Sequence, residues 1–505
     1  MSGVSRVLSV AIDAVSYYAH QRAGALACVD LETGRRWSYA ELAKDVDRTA
    51  TWLTRQFGPA SGVRVASVAR NSAQLLILHL ACVRAGAIYA PLNWRLTPAE
   101  LTALVRDAQP SLLVYDPEFQ LPSFEGLCIA STELESALAT ATTVAALQPR
   151  PPDAVSTLLY TSGTSGRPKG VMVTETNAFW SCTNFNLGNS ITPDSTVLCD
   201  MPMFHTAGLF AAVRAPLLAG GAVLISRGFD AERTLARIAD PSLHITHYFS
   251  VPQMAQMLWQ HRNFRPELLQ SLTVYATGGA PNPKAQIERF VRAGIRMSDG
   301  FGMSETGSNF GMPVHDPEVM LAKAGSCGLP YISVQARIVR DDGMDAAVNE
   351  VGELWLRGPS VTPGYWNQPQ LTQAAFAAGW FKTGDAASRD TDGYYYLVDR
   401  RKDMYISGGE NVYPAEVEAV LCELDAIAEA AVIGVPDSQW GEVGRAYIMV
   451  RAARSLDTAA VIQHCRTRLA KFKIPATVVF TQDIPRTASG KIQKVALQER
   501  ARHGQ

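Results

Sequence analysis

The spacing of apolar residues changes repeatedly along the chain, and each change marks an element. The run LLILHLACVRAGAIYAPL at 75–92 predicts a helix ending near Gly86, followed by a buried strand. Helical and strand-like spacings alternate through the first 150 residues, as in an α/β domain. Pro149, Pro151 and Pro152 mark a connection, after which STLLY and GVMVT each predict a strand. From Val351 onward GELWLRGP and GYYYLVDR predict a β-rich region. SGGENVYP after Ile406 then predicts a turn, and helix resumes at Pro414. Beyond Arg400 the pattern is that of a compact α+β unit: helix through AEVEAVLCEL, strands at AAVIGV and AYIMV, helix through VIQHCRTRLAKF and a strand at TVVF. Two domains follow, residues 1–399 and 404–505, with a short charged hinge at 400–403 inside the segment DRRKD.

Composition agrees with a large globular protein. At 505 residues the chain exceeds the size at which one core keeps growing, and 47% hydrophobic with 18% charged residues argues against extended disorder. Lys+Arg 46 against Asp+Glu 47 gives no reason to expect nucleic acid or an anionic membrane as an obligatory partner, and a homodimer is allowed. Eight cysteines without a CxxC pair read as reduced thiols, hence a cytoplasmic protein. The N-terminal VLSVAIDAV faintly imitates a signal peptide, but Asp13 interrupts it, so an amphipathic first helix is expected. Arg214 breaks the apolar stretch at 209–224 and no targeting tripeptide closes the chain, so a soluble protein is expected.

Chemistry concentrates in YTSGTSGRPKG at 160–170. Its glycines let backbone N–H groups approach an anion, Thr161, Ser162, Thr164 and Ser165 add hydroxyls, and Lys169 adds a mobile positive charge. A Walker-type P-loop requires GxxxxGK[ST] opening a helix. Here Lys169 is followed by Gly170 and a β-branched run, so both spacing and context fail. Further blocks follow in order: MPMFH ending at His205, TGGAP at 277–281, DGFGMSE at 299–305, KTGD ending at Asp385, DRRKD from Asp399, SGGENVYP at 407–414 and PRTASGK ending at Lys491. With these blocks the chain resembles, over essentially its whole length, the acyl-adenylate-forming superfamily of acyl-CoA synthetases, adenylation domains and luciferases.

The resemblance implies an α/β fold: a large multi-sheet N-terminal domain of αβαβα type with a β-barrel-like part, and a small mobile α+β C-terminal domain. It implies an ATP-dependent carboxylic acid:CoA ligase that uses ATP, Mg²⁺ and coenzyme A. The polyphosphate would be held by Thr161, Ser162, Gly163, Thr164, Ser165, Gly166 and Lys169. Adenine would lie against Gly278, Gly279, Ala280 and the Asp299, Gly300, Phe301, Gly302, Met303, Ser304 segment, with the Phe301 ring as stacking face. Asp385 would accept the two ribose hydroxyls, Arg400 would contact ribose or phosphate, and Glu305 would be the magnesium carboxylate. Two anions meet when a carboxylate attacks an α-phosphate, so cations must offset their repulsion. Lys491 is implied as that adenylation lysine, and acetylation there would silence the step. Between half-reactions the small domain is implied to swing about Lys402, replacing Lys491 with the Ser407, Gly408, Gly409 segment as part of a pantetheine tunnel.

Several of these residues have plainer readings. His205 is either a core histidine or part of the acyl and thiol passage; Phe301 is core packing or the adenine slot; Gly408 and Gly409 are turn residues or tunnel; Lys402 is a charged loop or the hinge. Three positions depart from the family pattern: Glu175 where His is common, Ser304 for Thr, and Tyr405 where Ile is frequent. Gly302 and Met303 stand where acetate-type members have Trp, and Gly279, Ala207, Gly208 and Ser308 are small, so an open pocket for a medium or long aliphatic, aromatic or polycyclic acid is expected. MPMFHTAGL offers no Asp for an ammonium. Two alternatives stand beside the CoA ligase: an acyl-AMP ligase loading a carrier protein, and a luciferase-like oxygenase.

Overall fold

A computed structural model describes residues 13–58, 62–138, 151–161, 169–279, 282, 284–340, 342–400, 405–412, 414–451, 454–485, 492 and 494–502. Two largely parallel sheets form the large domain. The nine-stranded sheet runs Leu329–Pro330, Gly307–Gly311, Met297–Met303, Val274–Thr277, His247–Ser250, Thr196–Cys199, Ala222–Ile225, Leu26–Asp30 and Arg36–Ser38 from edge to edge. The six-stranded sheet runs Leu127–Ala130, Leu112–Tyr115, Arg64–Val68, Ile88–Pro91, Val155–Thr161 and Lys169–Thr174. Strands such as Ala222–Ile225 read as unbroken apolar runs because layers cover both faces.

Between the two sheets lie the helices Tyr39–Phe57, Ala73–Ala85 and Glu175–Gly188. One buried cluster joins them to residues of both sheets, including Val65, Leu112, Cys28 and Val197. Separate clusters cover the outer faces, which gives the expected αβαβα layering. Helix ends follow local chemistry. Ser38 and Glu41 form a reciprocal capping box, and the predicted stop at Gly86 is a left-handed cap at φ 80°. A third, antiparallel sheet of Gln335–Val339, Gly352–Arg357, Trp380–Arg389 and Phe376–Ala377, with Tyr395–Arg400 on its side, stands at the place of the expected barrel-like part.

The C-terminal unit has its own five-stranded sheet and its own core of residues such as Val412, Leu421, Ile448 and Val461. Two expectations are corrected here and a third is extended. SGGENVYP is not all turn: Tyr405–Ser407 and Glu410–Val412 form a hairpin, and only Gly408 and Gly409, at φ 59° and 82°, make the reversal. Val412, completely buried, anchors the second strand. The helix expected through 472 ends at Arg466, and Lys471–Lys473 forms a separate 3₁₀ turn. Asp13, rather than only breaking an apolar run, is the N-cap of the first described helix, Ala14–Gln21. Arg214 does interrupt an apolar run, yet its side chain is largely enclosed: its guanidinium makes paired bonds of 3.0 and 2.6 Å to Glu175. The departure at Glu175 is thereby explained, since that carboxylate also accepts from Ser156 at 2.6 Å. Tyr405 likewise has a structural reason, because its side chain fills space beside Gly434 and Gly444, where an added Cβ would lie 2.3 Å from the tyrosine Cβ and 2.3 Å from its hydroxyl, respectively. Among the described residues no helix is long and apolar enough to cross a membrane, and all eight cysteines are unpaired thiols.

Candidate active site

Strands Val155–Thr161 and Lys169–Thr174 pair antiparallel, with Thr161 opposite Lys169, so the residues on either side of the glycine-rich segment meet at the sheet edge. Ser162, Gly163, Thr164, Ser165 and Gly166 of that segment lie outside the described residues, as do Ala280, Lys402 and Lys491. Thr161 and Lys169 line a cavity of about 230 Å³ that also receives Gly278, Gly279, Gly300, Phe301, Gly302, Met303, Ser304, Glu305 and Asp385. Residues separated by more than 200 positions thus meet at the C-terminal ends of the parallel strands, where an open α/β sheet places its ligands.

Close backbone approach explains most of these glycines. An added Cβ on Gly300 would lie 2.7 Å from the Phe310 carbonyl, and one on Gly302 would lie 2.5 Å from that of Gly307. Gly279 sits at φ 81°, so its glycine serves the backbone first and pocket width second. Gly208 needs correction as a pocket-opening residue: its Cβ would lie 2.1 Å from the Pro202 carbonyl, and it does not line the cavity. Ala207 and Ser308 do.

Asp299 is fully enclosed beneath the cavity. Burial pushes its carboxyl up to about 7, against the opposing pull of the Thr277 hydroxyl at 2.9 Å, the Gly300 N–H and the Asn282 amide. Glu305 is also buried, and its Oε1 accepts from the Tyr365 hydroxyl at 2.9 Å. Lys169 Nζ lies 5.6 Å from the centre of the same Tyr365 ring, so one tyrosine orders both the metal candidate and the phosphate candidate. Sequence reasoning missed Tyr365, which lies outside every quoted block. A single carboxylate suits Mg²⁺ held mainly by nucleotide phosphates and water, and among the described residues no group of three or more His, Cys, Asp or Glu could cage an ion. Asp385 pairs across the ladder with Arg400, and its N–H donates to Thr383 Oγ1 at 3.0 Å, which sets its direction at the cavity rim.

The small domain closes the other side. Gly409 lines the cavity; Ser407 is buried in the hairpin, and Gly408 packs on Trp440. Glu410, buried at the domain contact, takes Arg95 and Asn93 from the large domain and His205 Nε2 at 3.0 Å. Burial pushes Glu410 up, but His205 and Arg95 more than offset that and leave it below the usual carboxylate range. His205 therefore both lines the cavity and joins the two domains. Glu410 lies inside the quoted SGGENVYP block, whose turn-like composition hides its role. A second bridge runs from Lys473 to Glu416 of its own domain at 2.7 Å and to Glu100 of the large domain at 2.9 Å.

Comparison with known proteins agrees with this geometry. The AMP-binding enzyme profile matches residues 15–366 and the AMP-binding enzyme C-terminal domain profile matches residues 416–491. A feruloyl-CoA synthase of Amycolatopsis is 37% identical over 92% of this chain and 94% of its own. An indoleacetate–CoA ligase of Aromatoleum aromaticum is 36% identical over 91% and 92%. An o-succinylbenzoate CoA synthetase double mutant of Bacillus subtilis, bound with a product analogue, superposes with TM-score 0.87 at 30% identity over 96% of this chain and 98% of that one. The same synthetase with its acyl-adenylate intermediate gives 0.71 at 31% identity over 96% and 97%. These relatives are named as CoA-forming, so the carrier-loading and luciferase-like alternatives are set aside. The chain belongs to the AMP-binding enzyme family of the acyl-adenylate-forming superfamily and is an acid–thiol ligase of the AMP-forming type.

Proposed function

We propose that this protein joins an aromatic carboxylic acid to coenzyme A through an acyl-AMP intermediate. The observation that carries the reading is the meeting of Thr161, Lys169, Glu305 and Asp385 around one cavity whose inner wall is apolar and aromatic, with Phe185 and Phe249 at 5.3 Å between ring centres. In the first half-reaction a carboxylate oxygen bonds to the α-phosphorus of ATP and the bond to pyrophosphate breaks. Lys169 and the glycine-rich segment attract the departing charge, Asp385 fixes the ribose, and Lys491 balances charge between the two attacking partners. Glu305 would help to hold Mg²⁺ beside the nucleotide, where the ion would supply Lewis-acid charge neutralisation. In the second half-reaction the CoA thiolate bonds to the acyl carbon and AMP leaves.

The contacts between the two domains fit the second step. Gly409 stands at the cavity, and the higher similarity to the product-analogue state than to the adenylate state of one synthetase, at matched identity and coverage, supports a thioester-forming arrangement. Residues 400–403 then act as hinge between a 1–399 adenylation domain and a 404–505 mobile domain. The unpaired cysteines fit a cytoplasmic location. A panel of aryl and aliphatic acids tests the reading by pyrophosphate release, followed by thioester formation on adding CoA. Aryl acids should head the ranking; a panel led by long-chain acids would displace the aromatic assignment.

A further inference from the structure

Resting on that reading and deepening it, we propose that Asn189 and Tyr331 form a polar clamp at the inner end of the acyl cavity, selecting aromatic acids that carry a hydrogen-bond donor on the ring. The depth of the clamp follows from strand register. Phe249, Ala276 and Ser298 stand side by side across three parallel strands and all line the cavity. Two residues further on, Gly278 and Gly300 occupy the same face at the nucleotide end. Two residues earlier, His247 shares the face of Phe249, and its Nε2 donates to the Asn189 carbonyl at 3.0 Å. At about 3.3 Å per residue, the His247 row that Asn189 meets lies about 13 Å from the Gly278 row, room for an aryl acid and a hydrogen bond at its far end.

Asn189 caps the helix Glu175–Gly188, and its Nδ2 donates to the Phe185 carbonyl at 2.9 Å. A carbonyl only accepts, so this bond fixes the amide orientation and leaves Oδ1 as the opposite end. That oxygen is buried and has no hydrogen-bond partner among the described residues, so a donor on a bound acid would satisfy it. Tyr331 stands beside the Asn189 amide and also lines the cavity. Space has been cleared for its ring: an added Cβ would lie 2.1 Å from it at Gly188 and 2.2 Å from its hydroxyl at Gly311. Neither glycine has a positive φ, so room for the tyrosine is their evident use.

A phenol could donate to Asn189 Oδ1 and accept from Tyr331, whereas a ring N–H could only donate. The acids named for two relatives, ferulate and indoleacetate, carry one group of each kind.

The test compares kcat/KM for pyrophosphate release within matched pairs: 4-hydroxycinnamate against cinnamate, and indole-3-acetate against benzothiophene-3-acetate. The parent protein should favour the donor-bearing member by about tenfold or more in at least one pair. Asn189→Leu should bring every such ratio to within about twofold of one, and Tyr331→Phe should lower the phenol ratio alone. A ratio within one preparation cancels any loss of folded protein, and Tyr331→Phe stands alone if Asn189→Leu does not fold. Parent ratios near one, or ratios that Asn189→Leu leaves unchanged, would overturn the clamp while leaving the ligase reading intact. Failure to activate any acid would overturn both.

Discussion

Asp299 is held as a buried acid beneath the nucleotide end of the cavity, and its environment makes a claim about pH. Its folded value of about 7 exceeds the ordinary carboxyl value of 3.8. Between those values the unfolded chain releases the proton while the folded chain keeps it, so this group makes stability fall as pH rises and adds nothing further above about 7. A rise of about three pH units corresponds to about 4 kcal/mol. Asp299→Asn should therefore flatten the fall in unfolding free energy between about pH 4 and 7; denaturant titrations giving parallel pH profiles for both proteins would contradict the assignment. In the proposed mechanism Lys491 carries the greatest chemical weight. Lys491→Ala should slow acid-dependent pyrophosphate release about 100-fold or more, yet leave conversion of supplied acyl-AMP and CoA to thioester within a few-fold, measured by rapid quench.

At the scale of elements, the sequence was most readable where one local signal decides the outcome. The helix before Gly86, the two strands flanking the glycine-rich segment and the strand Gly352–Arg357 all appear where apolar spacing puts them. It was least readable where tertiary partners decide. Nothing near Arg214 announces that Glu175, 39 residues earlier, makes an enclosed arginine tolerable. Nor does SGGENVYP reveal that Val412 turns half of it into a strand by burying itself. In the site, Asp385 and Glu305 stand at the cavity where their blocks led one to look, while Tyr365 and Asn189 were not legible, because contacts distant in sequence bring them there, Tyr365 to Glu305 and Asn189 to His247. The Glu175–Arg214 pair carries its own prediction. Arg214→Met should destabilise by about 3–5 kcal/mol in denaturant unfolding by leaving the carboxylate buried alone, and Glu175→Leu added to it should recover most of that loss.

Over the whole molecule, two buried ionic contacts fasten the small domain in its present position, Glu410 to Arg95 and His205, and Lys473 to Glu100. Burial lowers the Lys473 affinity for its proton, and Glu416 and Glu100 more than restore it. Glu100 also caps its own helix with Thr97, a task glutamine performs equally well. Glu100→Gln should thus keep the large domain intact and slow the thioester step several-fold more than adenylation, as read by single-turnover rates for each half-reaction. Equal effects on both steps would mean that this contact does not select the arrangement.

The central claim is that the acid's own oxygen attacks the α-phosphorus of ATP. An acid labelled with ¹⁸O in its carboxylate, turned over with ATP, Mg²⁺ and CoA, should deliver one labelled oxygen to AMP, visible as a two-unit mass increase. Label absent from AMP, or found in pyrophosphate or free phosphate while acyl-CoA accumulates, would contradict it.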